Sequence, residues 1–274
     1  MSANLEQRMS QQIQQQAPEQ RRPATLADQI KSMEAQFQLA MPKGMEAQQL
    51  VRDALTCLRQ TPQLARCTPQ SVLGGLMTCS QLGLRPGVLG HAWLIPFKNR
   101  GVDEAQLVIG YQGLVELAHR SGQIKSLIAR TVYANDDFEV DYGLNDSLVH
   151  RPCMDGEKGD PIAYYAVAKF NTGGHAFYVM SHFEMLEYKR KNVKMGKFGP
   201  WVDHFESMAH KTCVRQLAKW MPKSTDLARA IEQDGAVRED VSQVAIDYPV
   251  HVDSAEPAEE APAIDGEVIE EPAA

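Results

Sequence analysis

The chain has 274 residues, 43% apolar and 23% charged, and its 28 Lys and Arg against 35 Asp and Glu give a net charge of −7. No apolar run approaches the roughly 20 residues of a membrane-spanning helix. The five cysteines include no Cys-x-x-Cys pair, which argues against a disulfide framework or a zinc site and fits a reducing compartment.

In chain order, residues 1–23 are Gln-rich, carry Pro18 and Pro23, and lack the apolar stretch of a signal peptide. They are expected to be a disordered polar extension of a folded body over 24–235. Apolar residues at helical spacing predict helices over Thr25–Ala40 and Met45–Gln60. Thr68-Pro69 supplies an N-cap and a first-turn proline for a third helix that stops at Gly83. The texture then changes to short apolar runs, His91–Phe97 and Ala105–Gly110, joined by a polar loop that carries Lys98 and Arg100. This reads as a hairpin. Gln112–Arg120 returns to helical spacing before Ser121-Gly122. Strands follow at Ile124–Tyr133, Phe138–Tyr142, Ala163–Phe170 and Ala176–Met180, with Tyr165, Val167 and Lys169 alternating against Tyr164, Ala166 and Ala168. Ser181-His-Phe-Glu184 is a capping-box pattern for a helix carrying Lys189, Arg190, Lys191 and Lys194. Gly199-Pro200 opens a last helix, closed by Pro222. Helices, strands, one helix, strands and helices predict an α+β fold: a helical N-terminal part, a central antiparallel sheet with packed helices, and basic C-terminal helices.

Charge is unevenly divided. From Ala236 onward one cation, Arg238, stands against eleven carboxylates, while the rest holds 27 cations against 24 carboxylates. Residues 236–274 are too poor in large apolar side chains to offset the entropy of ordering, and are expected to be an acidic disordered tail. Within 185–223 nine cations face only Glu187, Asp203 and Glu206. Lys211, Arg215 and Lys219 recur every four residues there, which stacks three cations on one helical stripe between Trp201 and Trp220. A solvated amphipathic helix would show the same spacing. The basic surroundings favour a polyanion partner, with phosphates on the cations and bases on the rings. Tyr111 and Gln112 at a strand-to-helix turn, Lys98 and Arg100 in the hairpin loop, Arg120 closing a helix, and Lys125 and Arg130 on a strand add further candidate contacts.

Catalytic patterns are missing. Gly83, Gly87 and Gly90 precede no Gly-Lys-Ser/Thr, so no phosphate loop is formed. His204 and His210 are six apart, outside metal-pair spacing, and neither metal nor cofactor is expected. The carboxylates from Asp136 to Asp141 form the only dense acidic run in the body, which leaves a metal-dependent nuclease as an alternative. A regulator reading duplex DNA with the 200–219 helix is another.

Four segments carry a family likeness: Cys79-Ser-Gln-Leu-Gly-Leu-Arg-Pro-Gly87, Gly90-His-Ala-Trp-Leu-Ile-Pro-Phe97, Gln106-Leu-Val-Ile-Gly-Tyr-Gln-Gly113 and Gly199-Pro-Trp-Val-Asp-His204. Over residues 30–235 the chain resembles the RecT family of phage- and prophage-encoded single-strand annealing recombinases. The resemblance implies an ATP-independent protein that coats single-stranded DNA and holds the nascent duplex in a homo-oligomer, a helical filament or ring. It also implies a partner exonuclease, the host single-stranded-DNA-binding protein, and the cytoplasm of a bacterial host. By position it puts Lys211, Arg215 and Lys219 in the family's basic helix, Trp201 in its Gly-Pro-Trp turn, and Tyr111 and Gln112 in its Gly-Tyr-x-Gly turn. Gln112 stands where members commonly have Arg or Lys, so only an amide is available there. Trp220, followed by Met221-Pro222, is expected to plug the core at the helix end.

Overall fold

The computed structural model describes residues 25–192, 199–222 and 224–238. The polar N-terminus, Lys194 and the acidic segment from Glu239 onward lie outside the described residues. A capping box opens α1 (Leu26–Ser32): the Thr25 hydroxyl accepts the Asp28 N–H, and the Asp28 carboxylate accepts the Thr25 N–H. The single helix expected over Thr25–Ala40 breaks at Met33 (φ −89°, ψ 2°), where α2 (Glu34–Ala40) begins. Ile30 and Phe37, on either side of the break, are both fully buried. After α3 (Ala47–Gln60) and a short 3₁₀ turn (Pro62–Arg66), α4 (Pro69–Leu82) runs through the middle of the molecule with every residue from Ser71 to Ser80 buried. Thr68 sits at its N-cap as expected. Its hydroxyl donates to Ser71 Oγ rather than capping the helix backbone, and Ser71 Oγ accepts the Ala105 N–H at 2.9 Å. Gly83, at φ 61°, turns the chain out of α4 and lets Leu84 N–H reach Cys79 O.

β1 (Ala92–Asn99) and β2 (Val102–Ile109) pair antiparallel from Ala92↔Ile109 to Asn99↔Val102. The polar loop expected between them shrinks to Arg100-Gly101, both at positive φ, as a two-residue hairpin turn requires. α5 (Tyr111–Arg120) follows directly. β3 (Ile124–Tyr133), β6 (Pro161–Phe170) and β7 (His175–Ser181) form an antiparallel sheet with β6 in the centre. Between β3 and β6 the chain makes a separate hairpin, β4 (Asp137–Asp141) with β5 (Ser147–Arg151), the latter a strand its short, non-alternating sequence does not announce. The Ser181–Glu184 capping box forms, with Ser181 N–H reaching Glu184 at 2.8 Å, and opens α6 (His182–Asn192). The last basic helix divides at His204 (φ −138°, ψ 49°) into α7 (Pro200–Asp203) and α8 (Phe205–Leu217). A further helix, α9 (Thr225–Gln233), is capped by Ser224, whose hydroxyl accepts the Leu227 N–H.

Alternation sorts the central sheet into two faces. Tyr164, Ala166, Ala168, Leu127 and Met180 lie in the main core, which also holds Ala209, Cys213, Val214 and Leu217 of α8. The two β6 alanines are small, which suits close approach of a helix. On the other face the β4–β5 hairpin folds down, and Phe138 and Leu148 pack on Val132, Ala163 and Tyr165 in a second small core. The folded chain continues to Arg238, beyond the expected start of the tail, because Ala236, Val237 and Arg238 are buried along β2 and α4. No helix among the described residues is long and apolar enough to cross a membrane.

Candidate nucleic-acid interface

The Lys211–Arg215–Lys219 stripe is not an open row of cations. Lys211 is 5% exposed. Its Nζ lies 2.6 Å from Asp234 Oδ1, and Arg215 Nη1 lies 2.6 Å from Asp234 Oδ2. Asp234 Oδ1 also accepts the Ile109 N–H at 2.9 Å. Burial pulls the Lys211 ammonium below the usual lysine range, and the Asp234 charge works against that pull. The physical reason is enclosure: α8 has the sheet on one side and α5 on another, and Asp234 closes over its lysine. Lys219, past the end of α8, is exposed.

The two tryptophans differ in burial from expectation. Trp201 is buried, its ring 6.0 Å from Tyr188 and 5.7 Å from Phe205, so it is core rather than platform. Trp220, expected as a core plug, is 76% exposed, while the neighbouring Met221 fills the core instead. Arg120 is engaged too. It donates to the Leu82 and Gly83 carbonyls, closing the C-terminus of α4, and pairs with Glu116. Lys98 and Arg100 stand exposed at the β1–β2 turn, and Gln112 is exposed beside Gly90.

Arg130 lines a groove of about 280 Å³ between β3, the base of the β4–β5 hairpin and the start of α8, which Asp136 and Glu206 line as well. Arg130 and Lys158 line it and make no ion pair among the described residues. Lys158 Nζ lies 5.4 Å from the centre of the Tyr133 ring. Thr131 Oγ1 donates to Glu206 at 2.5 Å, so the His210 Nε2–H donates to Thr131 at 3.0 Å. Burial lowers the His210 pKa, which keeps that ring neutral near pH 7. The Tyr111 ring meets His210 edge-on at 5.7 Å, which puts it next to the groove.

The acidic run holds the hairpin in place. Asp136 accepts the Tyr133 and Cys153 N–H groups and the His150 Nε2–H, while Tyr165 OH meets the other His150 nitrogen at 3.0 Å. Asp137 pairs with Arg151. Among the described residues no three His, Cys, Asp or Glu side chains are grouped to hold a metal ion. The two backbone donors, with His150 adding to them, hold the Asp136 carboxyl down at about 2. A depressed carboxyl contributes its full stability above its unfolded value near 3.8 and loses it as pH falls through about 2. Asp136→Asn is therefore expected to lower the urea midpoint at pH 7, with the gap to wild type narrowing across that window. A gap independent of pH would contradict the charge assignment.

A RecT family model matches residues 48–247 of this chain. The chain is also 44% identical over 210 residues to Protein RecT of Escherichia coli (strain K12), covering 74% of this chain and 77% of that one. The chain belongs to the RecT family. Uncharacterized protein YqaK of Bacillus subtilis (strain 168) is 25% identical over 224 residues, 78% of this chain and 71% of its own. Membership supports a DNA recombination and annealing protein. In this RecT-family chain, sequence reasoning missed Asp234, Tyr133 and Lys158. Asp234 lies 23 residues from Lys211 and 19 from Arg215. No local pattern joins them.

Proposed function

We propose that this RecT-family protein binds single-stranded DNA and anneals complementary strands without nucleotide hydrolysis. The carrying observation is 44% identity to Protein RecT over three quarters of both chains. The geometry supports sequence-blind binding: among the described residues Arg130 and Lys158 make no ion pair, and both line the groove with Tyr133. Annealing of this kind needs the phosphates held and base edges left free, so cations carry affinity and rings add stacking. Gly83, Gly87 and Gly90 all sit at positive φ in turns, a use that accounts for them without a nucleotide. The working form is a homo-oligomer on DNA in the cytoplasm of a bacterial host, alongside an exonuclease that exposes the strand and the host single-strand-binding protein.

Labelled complementary oligonucleotides, mixed with the protein in EDTA without ATP, are expected to pair faster than they do alone. No acceleration at low salt would overturn the proposal. Arg130→Ala is expected to flatten the logarithmic salt dependence of single-strand binding by about 0.7 units, the release from one phosphate. An unchanged slope would place Arg130 away from the strand.

A further inference from the structure

Lys211 Nζ, Arg215 Nη1 and the Ile109 amide converge on one carboxylate at 2.6, 2.6 and 2.9 Å. Two cations and a backbone donor make an anion receptor, and a phosphate diester presents the same pair of oxygens as a carboxylate. Here the occupant is supplied by the chain. Asp234 opens a short strap, Asp234–Arg238, laid along the edge of β2. Gly235 N–H donates to Leu107 O, Leu107 N–H to Ala236 O, and the Gln106 amide to Gly235 O. The strap also presses on α4, where a Cβ added to Gly74 would collide with the Arg238 carbonyl. Immediately beyond it the sequence carries eleven carboxylates. Lys211 and Asp234 side chains are 6% and 3% exposed, but Arg215 is 36% exposed, which leaves one edge of the receptor facing water.

We propose that Asp234 is a gate: its carboxylate closes an anion site that takes a phosphate diester of single-stranded DNA when the strap lifts from β2. The proposal rests on the single-strand-binding reading above. Opening an empty site would strand a buried ammonium, a large penalty. Exchanging one anion for another keeps Lys211 paired throughout, so the two docked states differ by far less. Linkage then requires reciprocity: DNA weakens strap docking by the factor by which the docked strap weakens DNA.

The Leu107 and Ile109 amides report the gate, because both donate to the strap and not to β1. Hydrogen exchange on the full-length wild-type protein, with and without an oligo-dT strand at low salt, is expected to show faster exchange at these two amides once the strand is bound. Fluorescence anisotropy on the same sample reports binding. Unchanged or slower exchange with the strand bound overturns the gate and leaves single-strand binding standing. Failure of the strand to bind overturns both. As a second arm, Asp234→Asn is expected to bind the strand about tenfold more tightly, and adding Arg215→Gln is expected to cancel the gain. An Asp234→Asn protein that melts cooperatively yet binds no better than wild type also overturns the gate.

Discussion

Asp234→Ala is expected to lower the unfolding free energy of the DNA-free protein by about 3–5 kcal/mol, the usual cost of removing one partner from a buried ion pair. Lys211 would be left at 5% exposure without its carboxylate and beside Arg215, of like sign, so folding would have to bury an unpaired ammonium or strip its proton. The Ile109 amide would lose its acceptor as well. Urea unfolding monitored by circular dichroism checks the magnitude. Lys211→Met makes the informative comparison. It leaves Asp234 paired with Arg215 and fills the space with an apolar chain, so its loss should be smaller than that of Asp234→Ala. Equal losses would mean that the clamp is held by packing rather than charge. With saturating single-stranded DNA, the gate predicts that Asp234→Ala recovers more stability than wild type gains, because a phosphate replaces the missing anion.

Tyr164→Ala is expected to cost about 3–5 kcal/mol, the range for emptying a fully buried aromatic site. Tyr164 is 1% exposed at the centre of β6, facing α8. Its ring meets His182, Phe205 and His210 at 5.8, 6.1 and 6.4 Å, and its hydroxyl lies 2.9 Å from His182 Nδ1. Losing it would open the seam that positions His210 at the groove. Tyr164→Phe keeps the volume and removes one hydrogen bond, so about 1 kcal/mol is expected. Thermal melts of the two variants check the contrast. Near-equal losses would show that the hydroxyl, not the ring, holds this seam.

Much of the fold was legible because its signals are local. Period-two alternation along β6 separates Tyr164, Ala166 and Ala168 from Tyr165 and Val167, and those two sets do lie in different cores. The Ser181–Glu184 box and the Gly83 stop depend on residues within one turn, and both form. Breaks at Met33 and His204 were not legible, since neither residue is a helix breaker by its own chemistry. β5 was missed because its two apolar residues, Leu148 and Val149, are adjacent rather than alternating, and among the described residues it pairs only with its hairpin neighbour.

Sequence alone determined the α+β class, the division between a basic body and an acidic end, and the family motifs, all of which depend on composition, spacing and order. Tertiary structure decided which cations and rings are available. Spacing put Lys211 and Arg215 on one stripe but could not show that Asp234 would close on them. Trp201 and Trp220 look alike in sequence, yet one is 8% exposed and the other 76%. Helical period specifies a face, whereas burial and ion pairing depend on what packs against that face, and those partners come from distant parts of the chain.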